Sequence, residues 1–263
     1  MEFQSGIARR DMELRNIDYY SHLGSRWYRS HDEPIALHRA EASFRNPWIA
    51  SRIHEFYSYR QKKPRILDVG CGAGFLSNYL AKEGFEVTAI DLSKQSLQIA
   101  KNHDETKTVK YLIADAYQLP FEAEIFDVVT CTDLLEHVSD PKRVLHEISR
   151  VLKMNGFFFF HTYNRTGFSW LLTNLLQKWL VKKDAGQLYA YDLFVRPKEL
   201  RDWLGEDQLS IIETNGIRPK FLQWPFIRLL FGGKIDPRFR FRWSAFKGMA
   251  YAGIARKVSN PIY

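Results

Sequence analysis

The chain predicts an α/β fold, a mostly parallel sheet with helices on both of its faces. Three observations carry this expectation. Short apolar runs at residues 65–69, 86–90, 109–113, 126–131 and 157–162 alternate with helical patterns at 74–83, 93–102 and 141–152. Strands that are apolar almost throughout, separated by amphipathic helices, belong in a parallel sheet covered on both sides. The first run ends in Gly70-Cys71-Gly72-Ala73-Gly74, a turn where backbone can approach a ligand with no Cβ in the way. The second run ends in Asp91, about 20 residues past Gly70, where a carboxylate can accept hydrogen bonds from a ribose.

In chain order, residues 17–28 carry Tyr19, Tyr20, Leu23, Trp27 and Tyr28 at near-helical spacing and read as a helix folding over something. Residues 31–39 are polar, contain Pro34 and read as a loop. Residues 44–59 are a second helix, with Trp48, Ile49, Ile53, Phe56 and Tyr57 on its apolar face. Lys62-Lys63-Pro64 marks the entry to the main domain. The expected organisation is a helical lid segment over residues 1–62 and a domain over 63–263, interrupted by an insertion at about 165–196. After residue 162 the alternation breaks. A long helical pattern covers 167–183, a short one 197–204, and residues 210–213 and 251–256 read as the last two strands. There are no internal repeats and no low-complexity segments.

With 263 residues, 45% of them hydrophobic and 15% aromatic, the chain has ample material for a core. No apolar run reaches the ~18 residues of a membrane span. Residues 1–18 are charged and lack the apolar segment of a secretory signal. The two cysteines, Cys71 and Cys131, make no disulfide framework and suit a reducing cytoplasm; both are expected to line the ligand pocket as small apolar residues. The net charge of +8 is concentrated in residues 214–263, where Asp236 is the one acid among many Lys and Arg. Such a segment is either a solvated face or a surface for phosphates.

The glycine turn and Asp91 suit several nucleoside cofactors. Three further features narrow the choice. The turn is Gly-Cys-Gly-Ala-Gly rather than G-x-G-x-x-G. Asp115-Ala116 follows the third strand, where an acid meets an adenine amino group. The fourth strand runs through Thr132 into Asp133-Leu-Leu-Glu136-His137-Val-Ser-Asp140-Pro141. With Leu152-Lys-Met-Asn-Gly156, these motifs resemble the class I S-adenosylmethionine-dependent methyltransferases over about residues 43–163. That resemblance implies a seven-stranded, Rossmann-like sheet. It places the cofactor against Asp68, Gly70, Cys71, Gly72, Gly74, Asp91, Leu92, Asp115, Ala116 and Thr132.

A narrower resemblance rests on Leu37-His38-Arg39 and Arg45 before the domain, Thr162-Tyr-Asn164-Arg165-Thr166 after the fifth strand, and Tyr251-Ala-Gly-Ile-Ala-Arg-Lys257 near the end. These are similar to the ubiquinone-biosynthesis O-methyltransferases, which methylate phenol and catechol hydroxyls of polyprenylated benzenoids. The resemblance implies that Arg45, Gly70, Asp91 and Thr132 contact the cofactor, with Arg45 offset by one residue from the family's spacing.

Asp133, Glu136 and His137 stand at i, i+3 and i+4, which puts three candidate ligands on one side of a helical turn. The family resemblance implies an E-x-x-E-H magnesium site there, with Asp133 one methylene shorter than the family's glutamate. A divalent ion would lower a phenol's pKa and orient it. Two alternatives stand beside this: His137 as a general base without metal, and a pair that only orders the loop.

The substrate side is expected at residues 167–183, where Phe168, Leu171, Leu172, Leu175, Leu176 and Trp179 form one apolar face, with Ser169 and Thr173 off it. With Lys178, Lys182 and Lys183 it reads as a helix on an anionic membrane, or as a lid packed on the core. The apolar stretch 221–231 is expected to join the same surface, and the Phe/Arg alternation at 238–243 fits an edge strand, polar on one side. It brings no stacking motif of defined spacing, so nucleic acid is not the expected partner. The expected function is methyl transfer from S-adenosylmethionine to a hydroxyl of a lipophilic aromatic quinone precursor, in the cytoplasm or on the inner membrane face. Alternatives are another acceptor, a cofactor-binding subunit without catalysis, and RNA modification.

Overall fold

In the computed structural model, which describes residues 2–31, 34–59, 62–180, 191–232 and 235–259, three helices precede the sheet: α1 (Glu2–Ser21), α2 (Arg26–Arg29) and α3 (Pro34–Tyr57). Then come β1 (Arg65–Val69), α4 (Phe75–Lys82), β2 (Glu86–Asp91), α5 (Lys94–Asn102), β3 (Lys110–Ile113) and β4 (Phe126–Thr132). They are followed by α6 (Pro141–Val151), β5 (Leu152–Tyr163), α7 (Gly167–Leu180), α8 (Pro197–Glu206), β6 (Leu209–Pro219), α9 (Trp224–Gly232), β7 (Phe241–Ser244) and β8 (Ala250–Lys257). The sheet order is β3-β2-β1-β4-β5-β8-β6-β7. Strands β1 to β5 are parallel, and β8 enters antiparallel between β5 and β6. The expected sheet is present and gains an edge strand, β7, from the Phe/Arg alternation.

Alternation along the strands sends side chains to two separate cores. On one face Leu67, Val69, Val129, Cys131, Phe158 and Phe160 pack against α6 and α8. On the other, Ile66, Val128, Phe157 and Phe159 pack against α3 and α4. The four consecutive phenylalanines of β5 thus serve both cores, as a doubly covered strand requires. Cys131 is fully buried in the first core and does not line the ligand cavity, whereas Cys71 does.

Two expectations change near the N-terminus. Residues 34–39 are not loop but the first turns of α3, with Pro34 as its first residue. A proline there forgoes only an N–H with no helical partner, and its fixed φ suits the turn. This helix is also no detached cover: Ile49, Ala50, Ile53 and Tyr57 are buried against the sheet. Helices α1 and α2 line the cavity through Asn16, Tyr20 and Trp27, and the first turns of α3 do so through Ile35, His38 and Arg45. Helix α7 also differs from expectation. It buries Ser169, Leu172 and Thr173 and leaves Trp170 and Leu171 half exposed, so its inner face is partly polar. Lys182 and Lys183 lie outside the described residues. Among the described residues no helix is long and apolar enough to cross a membrane.

Candidate active site

The strand order reverses direction between β1 and β4, and there the loops after the two strands part to leave a crevice. A cavity of about 1130 Å³, open mouth included, occupies it. Gly70, Cys71 and Gly72 line it after β1, Asp91 and Leu92 after β2, Asp115 and Ala116 after β3, and Thr132 and Asp133 after β4. The β1 turn needs its glycine. Gly70 has φ +71°, and a Cβ on it would stand 2.8 Å from Leu134 Cδ2. Asp91 holds the turn in place, its carboxylate accepting from Gly72 N (2.9 Å) and from Ser93 N (2.8 Å). Asp68 lines the cavity from a buried position, where Ser77 and Thr130 donate to it at 2.5 and 2.7 Å.

Gly74 departs from its expected role. It is buried outside the cavity lining, and its φ of +81° starts α4 where a Cβ would meet Ala100 at 2.8 Å. Its smallness serves helix packing rather than ligand approach.

The roof comes from α1 and α2. Trp27 lies 3.0 Å from where a Cβ on Gly72 would be, and its indole donates to Tyr20 O. Tyr28 donates to Ala73 O (2.9 Å) and Ser21 to Ser93 Oγ (2.9 Å). His137 is part of this roof attachment. Its Nδ1 accepts from the Asn16 amide at 3.0 Å, and its Nε2 faces the Tyr20 hydroxyl at 3.4 Å. Burial, reinforced by His38, pushes its pKa down to about 3.

The carboxylates after β4 gather different partners. Asp133 has φ +59°, a left-handed conformation that aspartate tolerates better than most residues, and this turns its side chain back towards α3 and β5. There Arg45 Nη2 lies 2.9 Å from Oδ2, His161 Nδ1 lies 2.6 Å from Oδ1, and His38 Nδ1 lies 3.8 Å from Oδ1. His161 Nε2 in turn stands 2.9 Å from Glu41 Oε1. Glu136 lies behind the cavity wall and accepts from Thr162 Oγ1 at 2.7 Å. Burial raises the acids here, but Arg45 and His161 hold Asp133 well below the carboxylate range. Glu136, buried and facing Asp133, rises to about 7. Burial disfavours charge on His161, yet Asp133 and Glu41 outweigh it and lift its pKa to about 9.

The trio expected to bind magnesium is therefore not the trio the fold assembles. Asp133, Glu136 and His161 bring ligand atoms within 4.8 Å of one another, while His137 points to α1. Even that second set is committed, because cationic side chains engage both oxygens of Asp133. The donor set does not fit a resident magnesium ion, which takes oxygen ligands and keeps several waters.

His38, Glu41 and His161 carried no role in the sequence reading. The signal was there: His38, Glu41 and Arg45 fall at i, i+3 and i+7, and all are at most 6% exposed, a buried polar stripe on one helix face. His161 is the one ionisable residue in the apolar run of β5.

Known proteins share the family and the fold. Residues 67–160 match the methyltransferase domain family. The fold resembles that of magnesium protoporphyrin IX methyltransferase from Synechocystis, solved with bound SAH (TM-score 0.56, 15% identity, 85% of this chain and 84% of that one). It also resembles a putative sarcosine dimethylglycine methyltransferase from Galdieria sulphuraria (TM-score 0.59, 15% identity, 94% and 99% covered). A sheet of this order, with a glycine turn and an acid at its switch point, defines a class I S-adenosylmethionine-dependent methyltransferase. Curated relatives named ubiquinone biosynthesis O-methyltransferase include one from Coxiella burnetii, 31% identical over 80% of this chain and 88% of its own length. One from Hydrogenovibrio crunogenus is 36% identical over 78% and 82%. The chain belongs to the ubiquinone-biosynthesis O-methyltransferase family.

Proposed function

We propose that this enzyme methylates a phenolic or catecholic hydroxyl of a lipophilic aromatic compound, a quinone precursor with a polyprenyl tail. The observation that carries this is the 31–36% identity to relatives named for that chemistry over about four-fifths of the chain. In this reading Asp91 and Asp115 hold the cofactor's ribose and adenine, and Gly70 to Gly72 admit its amino-acid end. Arg45 Nε and Nη1 are buried donors without hydrogen-bond partners in a cavity-lining side chain, which suits the cofactor's carboxylate. Residues 2–29 act as the lid.

A surface next to α7 supports a lipophilic acceptor. Phe168 meets Phe246 at 5.9 Å and Phe221 at 6.3 Å, and Phe221 meets Phe226 at 5.1 Å. Around them Leu222, Trp224 and Phe246 are exposed, with Lys220 and Arg240 beside them. An apolar patch rimmed by cations suits the interface of an anionic membrane, the source of a tailed substrate.

The test is reconstitution with S-adenosylmethionine and a polyprenyl catechol in detergent micelles, with product read by mass. The expected product is mono-O-methylated. Asp91→Asn should weaken cofactor affinity about tenfold or more, with loss of the thermal shift that S-adenosylhomocysteine gives wild type. Transfer to amines or carboxylates alone would overturn the hydroxyl assignment.

A further inference from the structure

One carboxylate of the cavity wall is short of donors. Glu13 of α1 is 8% exposed and lines the cavity. Among the described residues it takes part in no ion pair, and the hydrogen bond it accepts is a long one, from Ser139 N to Oε2 at 3.3 Å. The same N–H lies closer to the Tyr117 hydroxyl, at 2.9 Å. A carboxylate has room for about four donors, and burying one without them is costly. Other acids of the cavity are better served: Asp68 by two hydroxyls, Asp91 by two backbone N–H groups, Asp133 by Arg45 and His161.

Glu13 faces a definite part of the cavity. Tyr117 and Ser139 follow β3 and β4, and the wall beside them is Asp115, Ala116 and Val138. This is where the acid after β3 meets adenine in the reading above, and the inference rests on that placement. Asp115 is exposed, and its Oδ1 already accepts from Tyr117 N at 2.9 Å. Water competes for an exposed acceptor, whereas a hydrogen bond shielded from water is stronger. The 6-amino group of adenine carries two N–H donors. Asp115 takes one, and a buried acceptor is available for the other.

We propose that Glu13 accepts the second N–H of the cofactor's adenine amino group, and that this bond draws α1 shut over the nucleoside. With no ligand, a closed α1 buries a carboxylate that lacks donors, which biases the helix towards opening. The adenine amino group removes that cost, so α1 closes on a filled cavity. The same helix carries Tyr20, whose carbonyl accepts from the Trp27 indole, and Trp27 covers Gly72. Closure at Glu13 is thereby passed to the roof over the glycine turn. A base with a carbonyl in place of the amino group turns a lone pair towards both carboxylates and is repelled. Helix α1 is thus a specificity element for adenine nucleosides as well as a cover.

The test is calorimetry with S-adenosylhomocysteine and S-inosylhomocysteine on wild type, Glu13→Gln and Glu13→Ala, with amide exchange of α1 beside it. Alanine is the best helix former, so Glu13→Ala keeps α1 helical. Wild type should prefer the adenosyl ligand by about tenfold or more. Glu13→Ala should bind S-adenosylhomocysteine about 10- to 100-fold more weakly, the range of a hydrogen bond to a charged group. Its affinity for S-inosylhomocysteine should hold or rise. Glu13→Gln keeps an acceptor oxygen at the same reach and should fall between. In wild type S-adenosylhomocysteine should protect the α1 amides, and saturating S-inosylhomocysteine should not. A preference in Glu13→Ala within twofold of wild type's overturns the proposal and marks Glu13 as a roof fastening only. Equal protection of α1 by both ligands overturns its role in closure. Wild type that binds the two ligands alike overturns the placement of adenine beside Asp115, and this inference with it.

Discussion

At the scale of single residues, Asp133 and His161 hold the charged corner after β4 together. Asp133 leaves β4 in a left-handed conformation, and its carboxylate serves α3 and β5 at once. His161 bridges it to Glu41, with every member of the chain buried or nearly so. Removing one partner from a buried pair leaves a charge unpaired, at a cost of about 3–5 kcal/mol. His161→Gln should therefore lower unfolding stability by an amount of that order in urea titration, and adding Glu41→Gln should recover part of it. The pH dependence has a definite sign. The folded pKa of about 9 lies above the unfolded value of 6.5, so the contribution of His161 is complete below pH 6.5 and is lost as pH rises through 9. Wild type should thus lose more stability between pH 7 and 9 than His161→Gln does. The sequence shows why this corner was hard to read. A histidine next to four phenylalanines on β5 has no pattern of its own, and its meaning comes from partners far off in the chain, Asp133 and Glu41.

Among the elements, α3 and α1 show what periodicity can and cannot report. The apolar stripe of 44–59 was legible because Ile49, Ile53 and Tyr57 face the sheet. The first turns of α3 were not, because they bury His38, Glu41 and Arg45 among Ile35, Leu37 and Ala42, and buried polar residues break the apolar signal that marks a helix. In helix α7 the described side chains through Thr173 break the expected face: Leu172 is buried while Leu171 is half exposed, and Ser169 and Thr173 are buried with their hydroxyls bonded to backbone carbonyls. Helix α1 is held to the domain by polar contacts, among them Asn16–His137, Tyr20–His137 and Ser21–Ser93. Asn16→Ala with Tyr20→Phe should loosen it. The expected outcome is faster amide exchange confined to α1 and α2, with the β1–β4 amides unchanged. A matching loss of protection across the sheet would show that α1 belongs to the global core and is no lid.

For the molecule as a whole, one cavity joins Asp91 and Asp115, after β2 and β3, to the charged corner after β4, and an aromatic, cation-rimmed surface lies beside α7 and α9. Leu222→Ser with Trp224→Ser removes exposed apolar area from that surface without touching the cavity. Co-sedimentation with vesicles rich in anionic lipid should fall several-fold in the double variant, with turnover on a soluble catechol retained. Unchanged co-sedimentation would move the membrane contact elsewhere. By itself the sequence determined the parallel core, the glycine turn, Asp91 and the family, because each is written in residues adjacent along the chain or at a fixed period. The tertiary structure alone decided which histidine meets which carboxylate. His38, Glu41 and Arg45 come from a helix before the domain, Asp133 from the end of β4 and His161 from the end of β5. They meet because sheet order and the face chosen by each side chain bring these ends together, and charge pairing of that kind leaves no spacing in the chain to read.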